Sequence, residues 1–201
     1  MTQAFLERPN LTPSLQQIEK LWDEYGMLSN IRRHSLAVFA VARTLYHWLE
    51  DNNFKLNKSL IYAGALLHDV AKTMCLGQNE LHHDSEGKII LHNRGYYNLG
   101  KIVAKHVKLL ETNPVDEAFI IYYADKRVIN YDIVSVAQRY DYIVDRYGQK
   151  NTWRILYLEQ ERIKTFNIEK RLFSELSSHI PEELLHIYVP DSINELNGDL
   201  F

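Results

Sequence analysis

The run Tyr62-Ala-Gly-Ala-Leu-Leu-His-Asp-Val-Ala-Lys72 sets a histidine and an aspartate side by side in an otherwise apolar stretch. That pair limits what the chain can fold into. Desolvating an ionised carboxylate is costly unless the group is paired or coordinates a metal, and a buried imidazole needs a partner as well. The fold must therefore carry polar partners to His68 and Asp69 from distant parts of the chain. The candidates are His34 upstream and His83, His106 and Asp125 downstream.

The remaining sequence narrows the class of protein. A chain of 201 residues is most simply one domain, long enough to bury about 70% of its unfolded surface without staples. Its net charge of -3, with 24% charged residues, offers no global basic field for nucleic acid and no polybasic tract for an anionic membrane. An anionic ligand must be drawn by a local site. The single cysteine, Cys75, rules out an intrachain disulfide and fits a reducing compartment. The first ten residues lack the apolar stretch of a signal peptide, and no later segment approaches bilayer-spanning length, so a cytoplasmic location is expected.

Apolar residues recur with a period near 3.6 from end to end, which predicts an all-α chain. A first helix begins near Ser14 and stops at Gly26. A second runs from about Asn30 to Glu50 with Ile31, His34, Val38, Val41 and Leu45 on one stripe, so His34 is expected to face inward. The third is expected from Asn57 to near Cys75, carrying the His68-Asp69 pair, with Gly64 and Ala65 leaving room for another helix. Further helices are predicted over 83–93 with Gly95 after the end, 97–110 closed by Asn113-Pro114, 116–126, 134–147 ended by Gly148, and 152–178. In the last of these Trp153, Leu156, Ile163, Phe166, Leu172, Phe173 and Leu176 are available for packing. After Pro181 a short helix at best is expected, and residues 189–201 read as an exposed tail or a partner-dependent cover.

Among the nine histidines, His47, His92, His179 and His186 sit in no ligand-like pattern and are read as surface or singly bonded groups. His34, His68, Asp69 and Asp125 lie in apolar contexts and together make a complete mononuclear set. Imidazole nitrogen with carboxylate oxygen suits iron, manganese, zinc, nickel or cobalt better than calcium. His82 adjoins His83 and is its alternative as a ligand. His83 and His106 also have a plainer reading, a surface polar pair flanking a helix hairpin.

With these residues in view, the chain resembles the HD superfamily of metal-dependent phosphohydrolases. The matching pieces are Arg33-His34-Ser35, Leu67-His68-Asp69-Val70-Ala71-Lys72, His83-Asp-Ser-Glu-Gly87 with Ile89-Ile90-Leu91 and Gly95-Tyr96, Lys101-Ile-Val-Ala-Lys-His106, and Tyr122-Tyr-Ala-Asp125-Lys-Arg-Val128. They occur in the family's order over about residues 20 to 148. The resemblance implies a single-domain helical bundle, with an HD-type metal-binding domain over 14–150, a helical extension over 151–188 packing on it, and a tail over 189–201. It also implies that His34, His68, Asp69 and Asp125 hold one metal while Asp69 bridges to a second held by His83 and His106. The ions would be divalent, two in number, and drawn from iron, manganese, nickel, cobalt, zinc or magnesium.

Such a centre implies phosphoester hydrolysis through a metal-bound hydroxide, with Asp69 and Lys72 as catalytic groups. Lys72 follows His68 by four residues and so can reach the same opening; its plainer reading is a solvated lysine. Arg33, Lys126 and Arg127 neighbour proposed ligands but are not assigned individually. The tyrosines are read as core or rim residues. The sequence after His106, Val-Lys-Leu-Leu, departs from the cyclic-di-GMP phosphodiesterase branch. Val-Ala-Lys-Thr after Asp69 lacks the paired acids of the guanosine tetraphosphate branch, and Ala124-Asp-Lys-Arg-Val differs from the diadenosine tetraphosphate hydrolases. What remains is a small phosphorylated substrate, a nucleotide first, and a monomer or homodimer binding neither nucleic acid nor membrane. The competing expectations are a non-catalytic metal- and nucleotide-binding sensor domain and an HD-fold diiron oxygenase.

Overall fold

The computed structural model describes residues 11–78, 80–148 and 151–196. The reading of the first ten residues, and the end of the 189–201 segment, lie outside them. The described elements are α1 (Leu15–Glu24), α2 (Ser29–Asp51), α3 (Lys58–Leu67), α4 (His83–Asn93), α5 (Tyr97–Val103), α6 (Glu117–Asp125), β1 (Val128–Ile129), β2 (Asp132–Ile133), α7 (Val136–Tyr147) and α8 (Thr152–Glu175). Two 3₁₀ turns follow, Pro181–His186 and Ile193–Glu195. The described residues thus form an all-α bundle with one antiparallel β hairpin, in which Val128 faces Ile133 and Ile129 faces Asp132.

Local chemistry starts most of these helices. Ser14 and Ser135 form capping boxes with Gln17 and Gln138, while Asn57, Asp116 and Asn151 each accept a backbone N–H three residues on. Gly26 and Gly95, with φ of +57° and +84°, turn the chain after α1 and α4. The second helix begins one residue earlier than its expected Asn30 start, after Leu28, without a side-chain cap.

The centre of the molecule is α2 packed on α3 and α6, with α5 against α3. Both α3 and α6 are buried almost all round. Gly64 permits their close approach, because a Cβ there would collide with Ile121 Cδ1. Ile31, Val38, Val41 and Leu45 of α2 are buried on the same stripe as His34, as their spacing predicts.

Three sequence expectations are corrected here. The third helix ends at Leu67 rather than near Cys75, so His68 caps it and Asp69 lies in the turns that follow. The fifth ends at Val103 rather than near 110. The eighth helix presents Trp153, Leu156 and Ile163 to solvent, with Trp153 82% exposed, and packs instead through Thr165, Ile168 and Leu172. Its first half runs beside α7 rather than over the core, joined to it by an Arg162–Asp141 ion pair of 2.9 Å. Further on, Pro190, Ile193 and Leu196 are buried.

Arg127 joins the end of α6 to the C-terminal segments. It is fully buried, and its guanidinium donates to Val134 O (2.6 Å), the Tyr123 hydroxyl (2.6 Å) and Pro181 O (2.9 Å), with Glu169 at 3.4 Å. Removing one partner from a buried charged network leaves the others unpaired. Arg127→Ala is expected to lower the free energy of unfolding by about 3 kcal/mol in urea titrations. A loss below about 1 kcal/mol would contradict that role.

Candidate metal centre

Six ligand-type side chains converge from across the fold. His34 comes from the second turn of α2, His68 from the cap of α3, Asp69 from the turn after it, His83 from the start of α4, His106 from three residues past α5, and Asp125 from the last residue of α6. His34, His68, Asp69, His106 and Asp125 are buried and His83 is half-buried. The donor atoms form two groups, His34 with His68 and Asp125, and Asp69 with His83 and His106, each within 4.8 Å.

The histidine rings are held by backbone carbonyls. His68 Nδ1 lies 2.8 Å from Ala65 O, His106 Nδ1 2.6 Å from Val103 O, and His34 Nδ1 2.8 Å from Asn130 O. A carbonyl only accepts, so each Nδ1 carries the proton and, in the neutral ring, Nε2 is left as an acceptor. These bonds also explain the shortened helices. Ala65 O is the carbonyl a continuing α3 would offer to the Asp69 N–H, and the His68 ring takes it instead. The His106 ring shares the Val103 carbonyl at the end of α5 with the His106 backbone N–H, which lies 3.2 Å from the same oxygen. Asn130, at a left-handed φ of +54° in the β1–β2 turn, aims its carbonyl at His34. The hairpin that period-3.6 reading missed is therefore what orients this ring.

With Nδ1 protonated, the neutral His34 ring turns its Nε2 lone pair to Asp125 Oδ1 at 3.0 Å, while His106 Nε2 lies 3.1 Å from His83 Nε2, which donates in one neutral tautomer of His83 and accepts in the other. His68 Nε2 is buried without a hydrogen-bond partner, 3.8 Å from Asp125 Oδ1 and 3.4 Å from Asp69 Oδ2. Asp69 divides its oxygens: Oδ2 faces His68 and, at 3.9 Å, His34, while Oδ1 faces His83 at 3.4 Å and His106 at 3.6 Å. Ligand atoms each about 2.1 Å from one ion stand roughly 3 to 4 Å apart, so both groups fit a divalent cation. The buried, unpartnered His68 Nε2 is what a purely structural arrangement leaves unexplained.

Electrostatics agree with that fit. Burial alone would raise the carboxyl of Asp69, but the electrostatic pull of the adjacent His68 and Lys72 outweighs it and holds it well below its ordinary 3.8. Burial likewise acts against ionised Asp125, and the Lys126 ammonium 2.6 Å away leads the influences that reverse the sign and hold it well below its ordinary 3.8. Burial and the neighbouring His106 push His83 down to about 4, so its ring is neutral near pH 7 and free to coordinate. Three helices, α3, α5 and α6, end at the cluster, and the negative end of each dipole favours a cation there.

The other candidates fall into place around it. Lys72 Nζ donates to Asp69 Oδ2 at 2.6 Å, and Lys126 Nζ to Asp125 Oδ2 at 2.6 Å. Arg33 stacks over Tyr131, 3.8 Å from its ring centre, in a separate cleft bounded by Leu185, Tyr188 and Asp191. Arg127 serves the fold, as above. His82 is exposed and joins neither donor group, whereas His83 does. His47 meets the Tyr62 hydroxyl, His92 meets Tyr97 O, His179 stacks on Trp48, and His186 is exposed. Sequence reasoning missed Arg139 of α7, whose Nη2 lies 3.9 Å from Asp125 Oδ1. No motif marks it; only the packing of α7 brings it there.

His68→Ala and Asp69→Ala are each expected to abolish metal retention while leaving the helical circular dichroism largely intact. Elemental analysis of the purified variants checks this, and unchanged metal content in both would refute the assignment.

Comparison with known families bears on the same residues. The family model for the HD domain matches residues 31–128, from the first turn of α2 to β1. That span holds all six ligand-type residues and stops before Arg139. None of the curated proteins or solved structures compared matches the chain. The chain carries an HD domain over residues 31–128, a match that supports membership of the HD-domain superfamily.

Proposed function

We propose that the chain hydrolyses a phosphoester bond in a nucleotide or another small phosphoester, using two divalent ions that share Asp69. The observation that carries this is the orientation of Asp69, with one carboxylate oxygen toward each donor group and a lysine ammonium on its rim. When bound, the ions would supply an activated water and neutralise charge on phosphoryl oxygens.

The chain's own residues set how a substrate can approach. His68, Asp69 and His106 form a floor with side chains no more than 2% exposed, while those of Lys72 and His83 are 39% and 30% exposed. The accessible side is therefore that of Lys72 and His83. Burial would lower the Lys72 ammonium, but Asp69 and Asp125 outweigh it and raise its pKa, so the group stays charged at neutral pH. Its N–H groups can donate to a phosphoryl oxygen while Asp69 holds the side chain in place.

Local cations, in a chain whose net charge is -3, favour a small anionic substrate over a nucleic acid. Among the described residues no helix is long and apolar enough to cross a membrane, and the lone Cys75 fits a reducing, cytoplasmic setting. A monomer or homodimer satisfies a site built within one chain.

The test is a panel of mono-, di- and cyclic phosphoesters offered to protein loaded with iron, manganese, nickel, cobalt or zinc. Release of phosphate or nucleoside is expected, and Lys72→Ala should lower kcat/KM roughly 10²-fold with metal content unchanged. Nucleotide binding without turnover would contradict hydrolysis and favour a sensor, oxygen-dependent oxidation with two irons would favour an oxygenase, and an unaffected Lys72→Ala rate would remove that residue from the mechanism.

A further inference from the structure

We propose that Arg139 is a substrate-binding residue, its guanidinium receiving phosphoryl oxygens at the Asp125 side of the metal-ligand cluster. The inference rests on the phosphohydrolase reading and adds to it a residue from outside the span that the HD model matches.

Unused donors at a charged site carry the argument. The Arg139 side chain is only 15% exposed, its Nε is buried without a hydrogen-bond partner, and its Nη2 stops 3.9 Å short of Asp125 Oδ1. That oxygen already faces His34 Nε2 at 3.0 Å. The neighbouring cations are differently occupied. Lys72 and Lys126 each sit 2.6 Å from a carboxylate oxygen, and Arg127 donates through Nε, Nη1 and Nη2 to three protein oxygens. Among the described residues, Arg139 is the one of these four whose guanidinium makes no hydrogen bond to a protein oxygen, and a buried donor such as its Nε left unmatched is rare unless a ligand meets the group.

The position of Arg139 is fixed rather than incidental. It lies in the first turn of α7, where the Ser135–Gln138 capping box sets the helix start and its backbone N–H donates to Ser135 O at 3.0 Å. Val136 and Tyr140 on either side are buried, and the Tyr140 hydroxyl meets Thr165 Oγ1 of α8 at 2.8 Å. The extension beyond residue 128 thus holds a permanently charged, planar group against the ligand cluster. A guanidinium presents paired donors that match two oxygens of one phosphoryl group, which a lysine cannot do.

The experiment titrates inorganic phosphate into metal-loaded wild type, Arg139→Ala and Arg139→Lys by calorimetry, with metal content and circular dichroism measured on each. Arg139→Ala should weaken phosphate binding about 30-fold with two metals retained, and Arg139→Lys should recover only part of the loss. Where a substrate is in hand, KM should rise in the same order. Unchanged phosphate affinity in Arg139→Ala would overturn the role of Arg139 alone. Loss of metal or of helical signal in both variants would also overturn it, in favour of a structural role beside Asp125. Metal-loaded wild type that binds no phosphate would overturn this inference and the phosphohydrolase reading together.

Discussion

The structure depends on one electrostatic constraint, a buried carboxylate whose two oxygens point at two different pairs of imidazoles. Asp69 is 1% exposed, with imidazole Nε2 atoms at 3.4 to 3.9 Å on both sides and, among the described residues, Lys72 as its hydrogen-bond donor. Lone pairs brought this close repel one another unless a cation or proton lies between them. The three Nδ1 atoms pinned to carbonyls make a cation the simpler solution. Doubly protonating the pinned rings would instead set imidazolium beside imidazolium, as at His34 and His68, whose ring centres are 5.4 Å apart.

The bundle satisfies that constraint with the ends of its helices. The α3, α5 and α6 termini deliver His68, His106 and Asp125 together with the negative poles of three dipoles. Backbone carbonyls at two of those ends, Ala65 O and Val103 O, fix the ring orientations. Gly64 lets α3 and α6 approach closely enough for their C-terminal residues to share one site. Arg127, two residues past Asp125, then ties this centre to α8 and the Pro181 turn, so the C-terminal third supports the site it does not ligate.

Much of this was legible in the sequence because it follows from periodicity and polarity. His34 lies on the buried stripe of α2, Gly26 and Gly95 take left-handed turns where their helices stop, and the apolar setting of His68-Asp69 demands partners that the fold brings in. What could not be read depends on competition and packing. Nothing in the spacing shows that a histidine ring will take the carbonyl that would have extended α3 or α5. The two-residue strands are too short to show alternation, and their purpose rests on one Asn130 carbonyl. Apolar residues on α8 were read as core, but a helical pattern does not say which stripe meets the bundle, and Trp153 faces water. Arg139 carries no motif at all; its relevance exists only once α7 packs beside Asp125.

The central claim is that Asp69 joins two cation sites. It is tested most directly by elemental analysis of the protein purified without added metal, with the metal-to-chain ratio measured in wild type and His83→Ala. The account predicts two divalent ions per wild-type chain and one after removal of His83, whose ring serves only the second group. A ratio of one or less in wild type, or an unchanged ratio of two in the variant, would contradict it.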